Sequence, residues 1–330
     1  MNNITIFILK ALRKGYQKMM YPTHVPYDRG ITDPDEASKV IYDLLASGKP
    51  CMIARYGAYE LSTLVNYLGV TSSKHSVRQF IKGKQPEWWW NKNLMLRMQS
   101  NAGFFPSTEE NLIKFGKLMV EDSQQVDVLG SWLPNEKIMM PYIKEDVKRC
   151  SLLYLEPYWS STPWSRILAG KRVVVVHPFK ESIKKQYEEN REKLFKNKEV
   201  LPQFGSLRIV KAIQSLGGES DGFKDWFEAL AWMKSEIDKE DYDICLIGCG
   251  AYGFPLAAHV KRTGKQAVHL GGALQLLFGI KGKRWESMEY GAVVLGKQGG
   301  YPALFNQYWI RPTSSIIPAN ANQIEGGCYW

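Results

Sequence analysis

Asp243-Ile244-Cys245-Leu246-Ile247-Gly248-Cys249-Gly250-Ala251-Tyr252-Gly253 decides the fold. An apolar run enters a G-x-G-x-x-G turn. A helix from Phe254 to Arg262 follows, closed by Gly264, and the strand Gln266–Leu270 comes next. The strand–turn–helix–strand context gives this short motif its meaning. Gly248 permits the tight turn, Gly250 lets a phosphate approach the backbone, and Tyr252 and Gly253 complete the cradle. The helix N-terminus adds unpaired N–H groups and a partial positive charge. A dinucleotide fold places an acidic residue at the end of the next strand, for the ribose hydroxyls. Here that strand ends His269-Leu270-Gly271-Gly272, which disfavours NAD. The turn then either binds a phosphate or packs a helix closely on a strand, and the helix N-terminus behind it favours phosphate.

Working outward, short apolar runs alternate with helical segments. The expected strands are Met52–Tyr56, Val126–Trp132, Leu152–Glu156, Arg172–Phe179, Leu207–Ala212, Asp243–Gly248 and Gln266–Leu270. Most are continuously apolar, as strands buried on both faces are. Helix signals lie between them. Asp33 caps a helix with Pro34 at its first position. Ser107-Thr108-Glu109-Glu110 reads as a capping box. The stretches 181–196 and 222–237 carry apolar residues at helical spacing, and Trp88-Trp89-Trp90 reads as helical. The fold class expected is α/β, a Rossmann-like, mostly parallel sheet with helices on both faces. No break interrupts 33–285. The division expected is a basic arm and linker over 1–32, then a single domain over 33–330 whose tail, 286–330, wraps irregularly over the active site.

The chain of 330 residues is 45% hydrophobic, enough for a large core, and its formal net charge is +10. That balance suits anionic partners or serves solubility alone. No recognised motif or concentrated basic helix points to nucleic acid. The five cysteines, Cys51, Cys150, Cys245, Cys249 and Cys328, make neither a disulfide framework nor a zinc set, and fit a reducing cytoplasm. No apolar run approaches the roughly 20 residues of a membrane span. Met1 to Met20 reads as a basic amphipathic helix that lies on an anionic bilayer surface or packs on the domain.

Three further stretches carry chemistry. Gly271-Gly272-Ala273-Leu274-Gln275 ends a strand at the sheet's carboxyl edge, where open α/β folds bind ligands. Lys281, Lys283 and Arg284 follow on a glycine-broken loop and suit a diphosphate. Arg55-Tyr56-Gly57-Ala58-Tyr59-Glu60 delivers an arginine and a glycine to a strand end, with Glu60 opening the next helix. Glu60 is a general base, a metal ligand, a partner for a sugar hydroxyl, or a carboxylate that complements the helix dipole. Glu156 and His177 are secondary candidates at strand ends. His177 is a possible base by position, although a lone histidine there is more often structural.

Together these segments resemble bacterial glycosyltransferases with the GT-D fold, from capsule and O-antigen polysaccharide clusters. Arg55-Tyr56-Gly57-x-x-Glu60 is similar to that family's R-(F/Y)-G-D-G-E motif. The runs Gly248–Ala257, Gly271–Gln275 and Phe278–Trp285 resemble its later segments, in order over about 50–330. The resemblance implies transfer of a sugar from a nucleotide-sugar donor, commonly a UDP-sugar, to a lipid-linked or growing glycan. It implies a cytoplasmic enzyme, peripheral on the membrane's inner face. In that family a D-x-E pair is associated with manganese or magnesium and with the donor. Glu60 matches the Glu, and Ala58 stands where the Asp belongs, so one of the two carboxylates associated with the metal is missing. Arg55 matches the family arginine and would neutralise donor phosphate. The competing readings are a methyltransferase using S-adenosylmethionine and a non-catalytic scaffold of the polysaccharide machinery.

Overall fold

The computed structural model describes residues 2–20, 27–215, 220–290, 292, 299–312, 327 and 329–330. Seven strands form one sheet: β1 (Cys51–Ala54), β2 (Val128–Ser131), β3 (Lys148–Ser151), β4 (Arg172–His177), β5 (Ser206–Lys211), β6 (Ile244–Ile247) and β7 (Gln266–His269). Their order is β3-β2-β1-β7-β6-β4-β5, and every pairing is parallel. The helices among the described residues are α1 (Asn3–Met20), α2 (Pro34–Ala46), α3 (Ala58–Thr71), α4 (Val77–Ile81), α5 (Lys92–Ser100), α6 (Glu109–Ser123), α7 (Glu136–Met139), α8 (Lys180–Leu194), α9 (Trp226–Asp238), α10 (Gly253–Arg262) and α11 (Leu274–Leu277).

Continuous apolar strands fit here because both faces of the sheet are covered. Met52 and Ala54 point into one core with α3, α5, α6, α9 and α10, and Val174, Val176, Cys245 and Ile247 join them. Their neighbours Cys51, Ile53, Val173, Val175, Ile244 and Leu246 point into a second core with α2, α8 and α11. Period-two alternation therefore sorts a uniformly apolar run into two cores. The fold is a Rossmann-like α/β sheet with helices packed against it.

Local signals set the helix ends. The Asp33 carboxylate accepts the Glu36 N–H at 2.8 Å, and Pro34 opens α2. Gly48 (φ +67°) and Gly264 (φ +85°) turn the chain after α2 and α10. The cap of α6 is Thr108, which accepts from Asn111 N–H at 3.2 Å, so that helix begins one residue later than a Ser107 capping box implies.

Several expectations are corrected. The third strand is Lys148–Ser151, and Leu152–Leu155 is a turn of 3-10 helix. Trp88–Trp90 lies outside any helix, in the bends between α4 and α5. The stretch read as linker is partly tied to the sheet. Ile31 bridges Cys150 in parallel, exchanging bonds of 2.9 Å with Arg149 O and Ser151 N, while Asp28 pairs with Arg149. Cys51, Cys150, Cys245 and Cys249 are buried free thiols, and Cys328 lies outside the described residues.

The sheet's amino edge is pinned by ion pairs. Asp127 accepts the Met52 N–H at 2.7 Å and pairs with Lys144 and with Lys261 at 2.8 Å. Asp243 accepts the Arg172 N–H at 2.9 Å and pairs with its guanidinium at 2.7 Å. Among the described residues, no helix is long and apolar enough to cross a membrane.

Candidate active site at the carboxyl edge of the sheet

All seven strands send residues from their carboxyl ends into one cleft of about 540 Å³. Arg55–Glu60 follow β1, Trp132 follows β2, and Leu152 and Leu153 follow β3. His177–Phe179 close β4, Ile213 and Gln214 follow β5, Gly248–Gly250 follow β6, and Gly271 and Gly272 follow β7. The chain leaves β4 through α8, over the second core, and leaves β6 through α10, over the first. Adjacent loops that part in this way open a crevice at the switch point, where α/β sheets bind ligands. A volume of this size holds a compact organic ligand. Tyr290, Tyr329 and Trp330, from the tail, also line the cleft.

The glycines divide into two kinds. Gly250 has φ +56°, and a Cβ there would meet nothing nearer than Ala102 O at 3.8 Å, so its backbone faces open space. The start of the following helix leaves amide N–H groups without intrahelical acceptors. Gly271 is also left-handed (φ +62°) and lies against the Arg55 side chain, with Cδ 3.5 Å from where a Cβ would sit. The other glycines serve packing. A Cβ on Gly248 would stand 2.7 Å from Gly271 O and 2.9 Å from the His177 ring. On Gly253 it would stand 2.1 Å from His269 Cε1, and on Gly272 2.3 Å from Tyr329 Cε1. Gly253 thus seats α10 on β7 and does not line the cleft. Tyr252 is not a ligand either: it is buried, stacked on Trp226 with centroids 5.0 Å apart, and bonded to Ser215 Oγ at 2.6 Å.

Charge gathers on one side of the balance. Arg55 is half-buried, its guanidinium 5.1 Å above the Trp132 ring. No carboxylate lies within ion-pair distance of it among the described residues. Arg29 and Arg284 also line the cleft. Arg284 stacks on Tyr329 at 4.8 Å and donates to its hydroxyl at 3.3 Å. Glu60 is the sole acidic side chain among the described lining residues, and it is buried. Its carboxylate folds back over Gly57, where a Cβ would fall 1.9 Å from Oε2, so any side chain at 57 would push the carboxylate out of this position. One carboxylate does not make a ligand set for a divalent ion, which takes several oxygens. No group of three or more metal-ligating side chains exists among the described residues.

Two expected cations do not join the cleft. Lys281 turns to Glu286 at 3.6 Å and lies over the Phe305 ring, while Lys283 is exposed to solvent. Gln275 lines the cleft and braces it, its amide N–H groups donating to Ile280 O at 3.2 Å and Tyr329 O at 3.1 Å. Glu156 lies outside the cleft. It is buried and accepts from Trp159 Nε1–H and the Tyr301 hydroxyl, both at 2.8 Å, and burial pushes its pKa up to about 7.

His177 lines the cleft, but its chemistry is that of a donor. Nδ1 accepts the Phe179 N–H at 3.0 Å, so the neutral ring carries its proton on Nε2. Burial pushes its pKa down to about 3, and the ring stays neutral at physiological pH. A neutral imidazole so fixed donates a hydrogen bond and has no free lone pair with which to act as a base. His269, beneath Gly253, is likewise depressed to about 3 by burial and by Arg55.

No known protein family, curated protein or solved structure matches the chain. The cleft's cations and its glycine turn therefore carry the functional argument. Sequence reasoning missed Arg29, which sits in the proline-rich stretch 21–32, and Trp132, the aromatic shelf beneath Arg55. The pattern Arg29-Gly30-Ile31 before a helix was the available signal for the first. Trp132, at the predicted end of β2, was the signal for the second.

Proposed function

We propose that this chain is a glycosyltransferase of GT-D-like fold that moves a sugar from a nucleotide-sugar donor, with UDP as the nucleotide, to a lipid-linked or growing polysaccharide acceptor. One observation carries the reading. The Arg55 guanidinium, which has no carboxylate partner among the described residues, and the Gly248–Gly250 turn share a single cleft at the sheet's switch point, a place where backbone amides and cations serve a diphosphate.

The roles follow from chemistry. Glu60 takes the proton of the acceptor hydroxyl, whose oxygen forms the new bond to the anomeric carbon. The bond from that carbon to the diphosphate oxygen breaks, and its electron pair leaves with the nucleotide. Arg55, Arg284 and the turn amides of Gly250 and Ala251 stabilise the charge that develops there. Arg29 adds a third cation at the rim. Nε2–H of His177 donates to a phosphate or sugar oxygen. Cations take the place that a divalent ion holds in the resembled family, in keeping with Ala58.

A thermal-shift panel on the full chain tests the proposal, using UDP-, GDP- and CMP-sugars, NAD and S-adenosylmethionine, with and without manganese. The expected result is stabilisation by UDP and UDP-sugars without a manganese requirement. A shift with S-adenosylmethionine alone would make the protein a methyltransferase instead. No shift with any compound would leave the scaffold reading in its place.

A further inference from the structure

The helix α1 carries no acidic residue and four cations, Lys10, Arg13, Lys14 and Lys18. One face docks on the protein. Leu9 is buried against Phe80 and Trp89, with Ile6 and Trp88 packed beside it. Lys10 pairs with Glu87 at 2.9 Å, and Arg13 lies 4.8 Å from the Phe80 ring centroid. At 3.6 residues per turn, Ile4, Phe7, Ile8 and Leu12 fall together on the opposite face. They are 71%, 73%, 50% and 51% exposed. A helix that needed only to pack would present polar residues there.

We propose that α1 anchors the protein on an anionic lipid bilayer, laying Ile4, Phe7, Ile8 and Leu12 into the interface while Lys14 and Lys18 meet the headgroups. Charge identifies the occupant. Lys14 and Lys18 are exposed and flank the apolar face. The adjoining segment 71–86, which contains α4, adds Lys74, Arg78, Lys82 and Lys84 and has no acid. Val77, on α4, is half-exposed beside them. A second copy seated on this face would set like charges against like, whereas an anionic surface satisfies them. An apolar face backed by clustered basic residues is the combination that holds an interfacial helix on such a surface. The docked face fixes the helix to the domain, so the anchor positions the whole molecule at the membrane. The inference stands on α1 and α4 and is independent of the sugar-transfer reading.

The test is co-sedimentation of the full chain with vesicles of phosphatidylcholine alone and of an equal mixture with phosphatidylglycerol. Strong binding to the mixed vesicles and weak binding to the neutral ones is expected. F7E/I8E changes only exposed positions, so the fold is retained, as thermal melting checks, and binding is lost. K14E/K18E lowers binding to the mixed vesicles by about thirtyfold or more, at about tenfold per 1.4 kcal/mol and roughly 1 kcal/mol per basic residue. Three results would overturn the proposal: no binding of the wild type to the mixed vesicles, undiminished binding by folded F7E/I8E, or a wild-type dimer in sedimentation velocity that F7E/I8E splits. The last outcome would assign the face to a second copy.

Discussion

Replacing Arg55 by Gln separates a cation kept for a ligand from one kept for the fold. The guanidinium has no carboxylate partner among the described residues and rests on the Trp132 ring at 5.1 Å. Its removal strands no buried acid. The stacking lost is worth about 0.5–1 kcal/mol, and the partial desolvation of a half-buried charge offsets part of it. Stability in urea should therefore change by less than about 1 kcal/mol. Binding should change more. A hydrogen bond from a charged group contributes about 1.5–3 kcal/mol, so Kd for UDP should rise about 10- to 150-fold. Arg55→Lys keeps the charge but loses the planar fork, and should fall between the two. Calorimetric titration with UDP and urea unfolding of the same preparations read both quantities. An unchanged Kd for UDP in Arg55→Gln would refute the donor-site reasoning. So would a stability loss above about 2 kcal/mol, which would make Arg55 a structural residue.

Glu60→Gln keeps an amide that folds over Gly57 and opens α3 as well as glutamate does, so melting should be unchanged while sugar transfer falls to background; normal turnover would remove Glu60 from the chemistry. Gly253→Ala forces a Cβ to within 2.1 Å of His269 Cε1 and should cost about 1–3 kcal/mol in urea unfolding, with UDP affinity kept in the folded fraction. Gly250→Ala has room for the methyl but must hold a left-handed backbone, at about 1–2 kcal/mol, and places the methyl in the cleft, so its mark should be weakened UDP binding by titration. Glu156 has its pKa raised by burial from 4.5 to about 7, so the native state holds its proton longer than the unfolded chain does, and this contribution to stability is full below pH 4.5 and lost as pH rises through 7. Glu156→Gln should flatten that decline, measured as the difference in unfolding free energy between variant and wild type across the window, with sugar transfer unaffected.

The sheet was legible because burial on both faces writes uninterrupted apolar runs, as at Val173–Val176 and Ile244–Ile247. The third strand escaped because it is peripheral. Lys148 is exposed and Arg149 half-buried, with only the Ile31 bridge beyond them among the described residues, so Lys148-Arg149-Cys150-Ser151 need not be apolar. The apolar Leu152–Leu155 drew the reading four residues onward. The glycine turn was legible as geometry but not in its division of labour. Nothing in G-x-G-x-x-G tells that Gly250 faces open space while Gly253 faces a histidine ring, since the ring comes from β7. Lys281 and Lys283 failed for a related reason. The direction of a side chain on a loop depends on partners such as Glu286 and Phe305, which sequence proximity to a motif does not reveal. Arg29 joins the site through a bridge to β3 more than a hundred residues away, a long-range pairing without local periodicity. The GT-D resemblance names a chemistry for the cleft but predicts none of these placements.

The two edges of the sheet treat charge in opposite ways, and the contrast bears on what the cleft is for. At the amino edge every prominent charge is answered: Asp127 by Lys144 and Lys261, and Asp243 by Arg172. At the carboxyl edge Arg29, Arg55 and Arg284 converge on a cleft whose lining residues, among those described, include one acidic side chain, Glu60, folded back onto its own helix start. The two histidines near them are held neutral by burial, so they do not add to the repulsion. Both have pKa values below the unfolded value of 6.5, so their contribution to stability is full above pH 6.5 and falls as pH drops toward about 3, where both rings must charge while buried, His269 next to Arg55. Three cations around a cleft with one acidic side chain among its described lining residues disfavour the unliganded folded state, whereas a bound dianion relieves them. A ligand that binds only the native state adds RT ln(1 + [L]/Kd) to stability. Stabilisation by UDP should accordingly be largest where the repulsion is strongest, at low ionic strength, and should shrink with salt more steeply than for a neutral nucleoside such as uridine. Equal salt responses for UDP and uridine would mean that the arginines do not face the phosphates.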